Sequence, residues 1–137
     1  MKKLIYLTAI LILGTFIAAC GGSADSAKKF AEKKVDGNLT VTISNSAGKL
    51  MNGEQDLVLQ FTDGNGKPVE IKAASLNFNM PAMGSMAEMN DAATLTTTDT
   101  PGKFTGNVKL QMAGEWQAQI SYEGAQNGKT SISTTAY

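Results

Sequence analysis

The chain of 137 residues has no histidine, a single cysteine and, because all twelve of its basic residues are lysine, no arginine. Without histidine there is no Ser-His-Asp or Cys-His relay, no imidazole general base and no His-ligated zinc. Without arginine there is no planar fork to clamp a phosphate or carboxylate through two hydrogen bonds. One cysteine cannot close an intrachain disulfide. The twelve lysines balance twelve acids, and no basic stripe of the kind that nucleic acid requires is present. Length suits one ordinary domain, and an enzyme is not expected.

The chain does contain an address at its start. Lys2 and Lys3 precede an uncharged, mostly apolar run over residues 4–19, short for a spanning helix of about 20 residues and suited to a secretory signal. Ile17-Ala18-Ala19-Cys20 resembles a lipobox, in which cleavage precedes a cysteine that receives lipid. By that analogy residues 1–19 are a signal peptide and Cys20 is the lipidated first residue of the mature protein. Residues 20–36 are then a polar tether, its Lys28, Lys29, Lys33 and Lys34 interleaved with Asp25, Glu32 and Asp36 and solvated. The protein is expected to work outside the cytoplasm of a bacterium, held to a membrane of the cell envelope.

From about residue 38 the sequence alternates with period two, the signature of half-buried strands. Leu39, Val41 and Ile43 share one face; Leu57, Leu59 and Phe61 repeat the pattern. Asp63-Gly64-Asn65-Gly66 supplies turn residues. Val69, Ile71 and Ala73 run in odd phase and Leu76, Phe78 and Met80 in even phase, which predicts a bulge or break near Ala74-Ser75. Leu95 marks a short Thr-rich strand. Phe104, Val108, Leu110 and Met112 face in, as do Trp116, Ala118, Ile120 and Tyr122, and residues 129–135 form a weaker last strand. The reading is an all-β, immunoglobulin-like β-sandwich of about seven to eight antiparallel strands over residues 37–137.

Four of the seven methionines lie in residues 80–89, as Met80, Met83, Met86 and Met89, three apart. Thioethers are soft, neutral and polarizable; they suit Cu(I) and serve Zn(II), Mg(II) or Ca(II) poorly. Pro81 and Gly84-Ser85 argue against a helix, so the segment is a loop. If strands 76–80, 93–98, 103–110 and 114–123 are successively antiparallel, that loop and the turn at Met112-Ala113-Gly114 leave the same end of the sandwich. Met112 then joins the cluster, and Trp116 is a site-adjacent aromatic whose face attracts cations. Met80 and Met112 also continue inward series, for which a plain core role is the simpler reading. Met83, Met86 and Met89 lie past the strand and fit either a metal site or an adaptable apolar contact surface. Glu88 and Asp91 are the acids beside the loop, with no partner identified for acid–base chemistry.

Three separated segments resemble one family. Phe78-Asn79-Met80-Pro81-Ala82-Met83-Gly84, Pro101-Gly102-Lys103-Phe104-Thr105-Gly106 and Met112-Ala113-Gly114-Glu115-Trp116-Gln117 together resemble the YtkA-like domain, similar in turn to FixH-like and immunoglobulin-like copper-resistance domains. The resemblance covers residues 38–123 and implies a β-sandwich in a copper-handling setting, with Met80, Pro81, Met83, Gly84, Met112, Gly114 and Trp116 at the pattern positions. Many relatives place a histidine in or just after the methionine motif. Here Ser85 and Met86 stand there, which argues against Cu(II) and leaves Cu(I). The expected function is therefore a lipid-anchored protein binding Cu(I) through Met80, Met83, Met86, Met89 and Met112, with an envelope copper-handling protein as its partner. The alternative is a metal-free module docking an envelope protein through the same loop.

Overall fold

A computed structural model describes residues 27–35 and 37–137. The expected signal peptide, Cys20 and most of the residues before Lys28 lie outside the described residues. Among those described, the chain forms nine strands and no helix: β1 (Lys28–Val35), β2 (Leu39–Asn45), β3 (Gly53–Thr62), β4 (Ile71–Met80), β5 (Met89–Ala92), β6 (Thr94–Thr97), β7 (Lys103–Leu110), β8 (Gly114–Gly124) and β9 (Gly128–Ala136). They make two antiparallel sheets, ordered β1-β2-β3-β7-β6 and β5-β4-β8-β9. The all-β sandwich expected from the sequence is what forms.

Its core is the set of inward residues that the alternation picks out. Leu39, Val41, Ile43, Leu57, Leu59 and Phe61 from the first sheet meet Leu76, Phe78, Trp116, Ala118 and Ile120 from the second. Each large side chain so buried contributes roughly 1.5–3 kcal/mol. Phe61 sits edge-on to Phe104 at 6.1 Å and tilted against Tyr122 at 5.2 Å, within the range where aromatic pairs attract.

Three expectations need correction. Residues 28–35 were expected as tether and instead pair with β2, from Lys28↔Asn45 to Val35↔Leu39. A register shift between Lys29 and Ala31 breaks the period-two pattern there, and the flanking lysines hide the inward Ala31. The parity change in β4 falls between Ile71 and Ala73, earlier than Ala74-Ser75, because Lys72 is the extra residue of the bulge and Ala74 already shares the phase of Leu76. The strand expected over 93–98 forms as β6, but residues 89–92, expected as loop, add a further strand, β5. β5 pairs with β4 and β6 with β7, so the chain crosses between sheets at Ala93, whose N–H bonds the carbonyl of Leu76 at 2.9 Å.

The registers also fix which loops share an end. β4 leaves at Met80 where β8 begins, since Asn79 pairs with Gln117. Gly114 pairs with Ala136 at the end of β9. In the other sheet Leu110 at the end of β7 pairs with Gly53 at the start of β3, and Ser44 near the end of β2 pairs with Val58. The start of β1, the end of β4 and the β7–β8 turn therefore lie at one end of the molecule. The Asp63–Lys67 turn, closed by Asp63 Oδ1 accepting from the amides of Asn65 and Lys67, lies at the other.

Candidate metal centre

The connection from β4 to β5 is a hairpin, with Met80 paired to Met89. Beyond that pair, Met83 and Met86 form an isolated bridge. The amide of Met83 donates to the carbonyl of Met86 at 3.1 Å and the amide of Met86 returns a bond to Met83 at 2.9 Å. Between them stand Gly84 and Ser85. Gly84 has φ of 57° and Ser85 is not among the positive-φ residues, which is the pattern of a two-residue turn with glycine first. The three-residue spacing of Met83 and Met86 is thus the arithmetic of a hairpin turn. Two turn residues separate two directly opposed positions, and opposed residues of an antiparallel pair project to the same side.

Met112 arrives from the β7–β8 turn, held by side chains on both sides. Trp116 is buried and its Nε1–H donates to the carbonyl of Met112 at 3.1 Å. Asp91 of β5 accepts from the Gln111 amide at 3.1 Å and from Gln111 Nε2 at 2.8 Å. These bonds tie the turn carrying Met112 to the hairpin carrying the other methionines. Gly114 adopts φ of 137°, and a β-carbon there would stand 2.9 Å from Cε of Met80. The missing side chain lets the Met80 terminus reach the turn.

The outcome is a cleft of about 200 Å³ lined by Met80, Met83, Met86 and Met112, with Pro81, Ala87, Ala113, Gly114 and Glu115 completing the wall. Exposure is graded: Met80 is 7% exposed, Met86 44% and Met83 68%. A buried thioether lies at the floor and two accessible ones at the rim. Met89 does not line the cleft. Its register partner is the inward-facing Met80, so Met89 shares that inner face and packs against the core at the sheet edge. Trp116 lies beneath the site with its ring in the interior, where it supports Met112 through the backbone.

Polar side chains secure the hairpin. Asn79 is 6% exposed, and its Nδ2 donates to Glu88 Oε1 and, at 3.0 Å, to Asn90 Oδ1. Asn77 Nδ2 donates to Asn90 Oδ1 and Gln119 Oε1, both at 3.1 Å. Glu88 and Asp91 are thus engaged as acceptors that position the loop. Their sequence signal was only that they flank it. Among the described residues no three His, Cys, Asp or Glu side chains gather as a metal site. The donors that do converge are thioethers, a set whose softness fits a monovalent soft ion.

A family model described as YtkA-like matches residues 33–121, from within β1 to within β8, and spans the whole cleft. No curated protein and no solved structure matches the chain.

Proposed function

The chain belongs to the YtkA-like family, and from that premise we propose that it is a lipid-anchored, extracytoplasmic protein that takes Cu(I) as cargo between the sulfurs of Met80, Met83, Met86 and Met112. The observation that carries this reading is the common cleft of those four side chains, drawn from two separate stretches of chain. A thioether gives up no proton on binding, so a soft cation meets no competition from protons here, unlike at Cys or His sites. Rim residues Met83 and Met86 first capture the ion, and Met80 and Met112 complete its shell away from water. The anchor is proposed from the signal-like residues 4–19 and from Cys20. It would keep the cleft near membrane-bound proteins that supply or receive copper.

The test is a Cu(I) titration against a chromophoric competitor, using the mature chain with Cys20→Ser so that no thiol interferes. Met83→Leu with Met86→Leu is expected to weaken binding roughly 10- to 100-fold, the scale on which metal sites lose affinity when a supporting group is removed. Met89→Leu is expected to leave affinity unchanged. Equal affinity in the Met83/Met86 variant removes those residues as ligands.

The exposure of Met83 and Met86 also favours the second reading, a metal-free docking loop. Leucine preserves apolar contact and serine does not. A partner complex that survives the leucine variants, fails in Met83→Ser with Met86→Ser and contains no copper by elemental analysis selects docking.

A further inference from the structure

The large hydrophobic side chains left exposed among the described residues are Met83, Met86 and Tyr137, and all three stand at one end of the sandwich. Tyr137 is placed there by hydrogen bonds independent of the methionine hairpin: its amide donates to the carbonyl of Leu50 at 3.0 Å, and its carbonyl accepts from the amide of Asn52 at 2.9 Å. Tyr137 is 61% exposed, and its ring carries Lys49 Nζ at 5.2 Å from the centroid. The chain also enters the domain at this end. Lys28 pairs with Asn45, and the Cα of Gly48 lies so near Lys28 that an added β-carbon would stand 3.0 Å from it.

Cys20 precedes Lys28 by eight residues, a stretch that reaches no more than about 29 Å even when fully extended. β8, with 11 residues, is itself about 36 Å long. A membrane holding Cys20 is therefore always within reach of the methionine end. The far end carries the polar Asp63–Lys67 turn and, among the described residues, no exposed large hydrophobic.

We propose that this end of the sandwich rests on the phospholipid surface that holds Cys20, so that the methionine cleft opens toward the headgroups and exchanges its cargo with a membrane-embedded partner. The proposal rests on the anchoring reading above. Tyrosine with an adjacent lysine suits the headgroup level, its ring apolar and its hydroxyl wet. The exposed thioethers add apolar area that water does not favour. Each contact is weak, and the short tether compensates by holding the local concentration of lipid high. Charge contributes little, because Lys28, Lys49 and Lys109 at this end are offset by Glu54, Glu88 and Glu115, with Glu54 paired in register to Lys109.

The experiment joins the mature chain through its Cys20 thiol to a maleimide-bearing lipid in phosphatidylcholine vesicles with a minor share of phosphatidylglycerol. Orientation is then read whether or not cells acylate Cys20. Peptide mass spectrometry follows dilute-peroxide oxidation of Met83 and Met86 and acetylation of Lys49 and Lys67. Relative to the chain free in solution, labelling at Met83, Met86 and Lys49 is expected to fall several-fold, with Lys67 unchanged and the pattern insensitive to salt. Met83→Ser, Met86→Ser and Tyr137→Ser together, all at exposed positions, are expected to restore Lys49 labelling. Equal labelling at both ends, or protection of Lys67 instead, overturns the orientation. Separately, an unmodified Cys20 in protein extracted from cells overturns the anchor without touching the vesicle result.

Discussion

Met80 fits two roles at once, and its neighbour Gly114 separates them. Met80 is buried in phase with Leu76 and Phe78, as any core residue would be, yet it also forms the floor of the cleft. Gly114→Ala is strained in two ways. The backbone at φ of 137° suits glycine, and the added carbon would meet Met80 Cε at 2.9 Å. The strained backbone should cost about 1–3 kcal/mol, read as a lower urea midpoint. The flexible Met80 terminus would yield to the new methyl and swing away from the cleft. If Met80 is a ligand, Cu(I) affinity falls together with stability. If stability drops while affinity holds, Met80 belongs to the core alone.

At the scale of the element, the site is a junction between a hairpin and a turn, and Asp91 makes the joint. Asp91→Ala removes both acceptors that hold Gln111. Because the pair is exposed, the loss of stability should stay near 1 kcal/mol or below. The turn carrying Met112 would then drift relative to Met83 and Met86. Cu(I) affinity is therefore expected to fall several-fold with a melting temperature lowered by only a few degrees, measured by competition titration beside thermal unfolding. Affinity that tracks stability alone would make Asp91 merely structural. This joint marks the boundary of what the sequence could tell. The inward faces of β2, β3, β7 and β8 were legible because their apolar residues alternate strictly, and the shared end of loop and turn followed from antiparallel geometry. β1 was hidden by its bulge, and β5 by its length of four residues, too few to display a period. The hairpin register was invisible too, being set by backbone bonds of Met83 and Met86. That register is what sends Met89 to the core and leaves Met83 and Met86 at the rim. The Asp91–Gln111 pair joins residues 20 apart in sequence and carries no local signature.

For the whole molecule, the absence of histidine shapes the response to pH as much as it shapes the ligand set. No side chain of the sandwich has an ordinary pKa between those of the carboxylates and that of an α-amino group, so stability should be level from about pH 6 to pH 8. Acid sensitivity begins with the carboxylates, and Glu32 on the edge strand β1 is the one whose environment is legible. A hydrogen bond from Lys29, at 3.0 Å, leads in holding its carboxyl below the ordinary value of 4.5, with the lysine charge and the Thr42 hydroxyl adding to it against slight desolvation. A lowered folded value means stabilisation that is complete above pH 4.5 and is lost as pH falls through that lowered value. Both side chains are substantially exposed, 55% and 41%, so solvent screening keeps the contribution below about 1 kcal/mol. Glu32→Gln should accordingly lower the melting temperature slightly at neutral pH, less in high salt, and not at all once the wild-type carboxyl is protonated. Because β1 is an edge strand joined to its sheet through β2 alone, the difference should appear first as faster hydrogen exchange in residues 28–35. A deficit that persists unchanged at low pH would assign the stabilisation to packing of the Glu32 stem across β1 and β2 instead of to its charge.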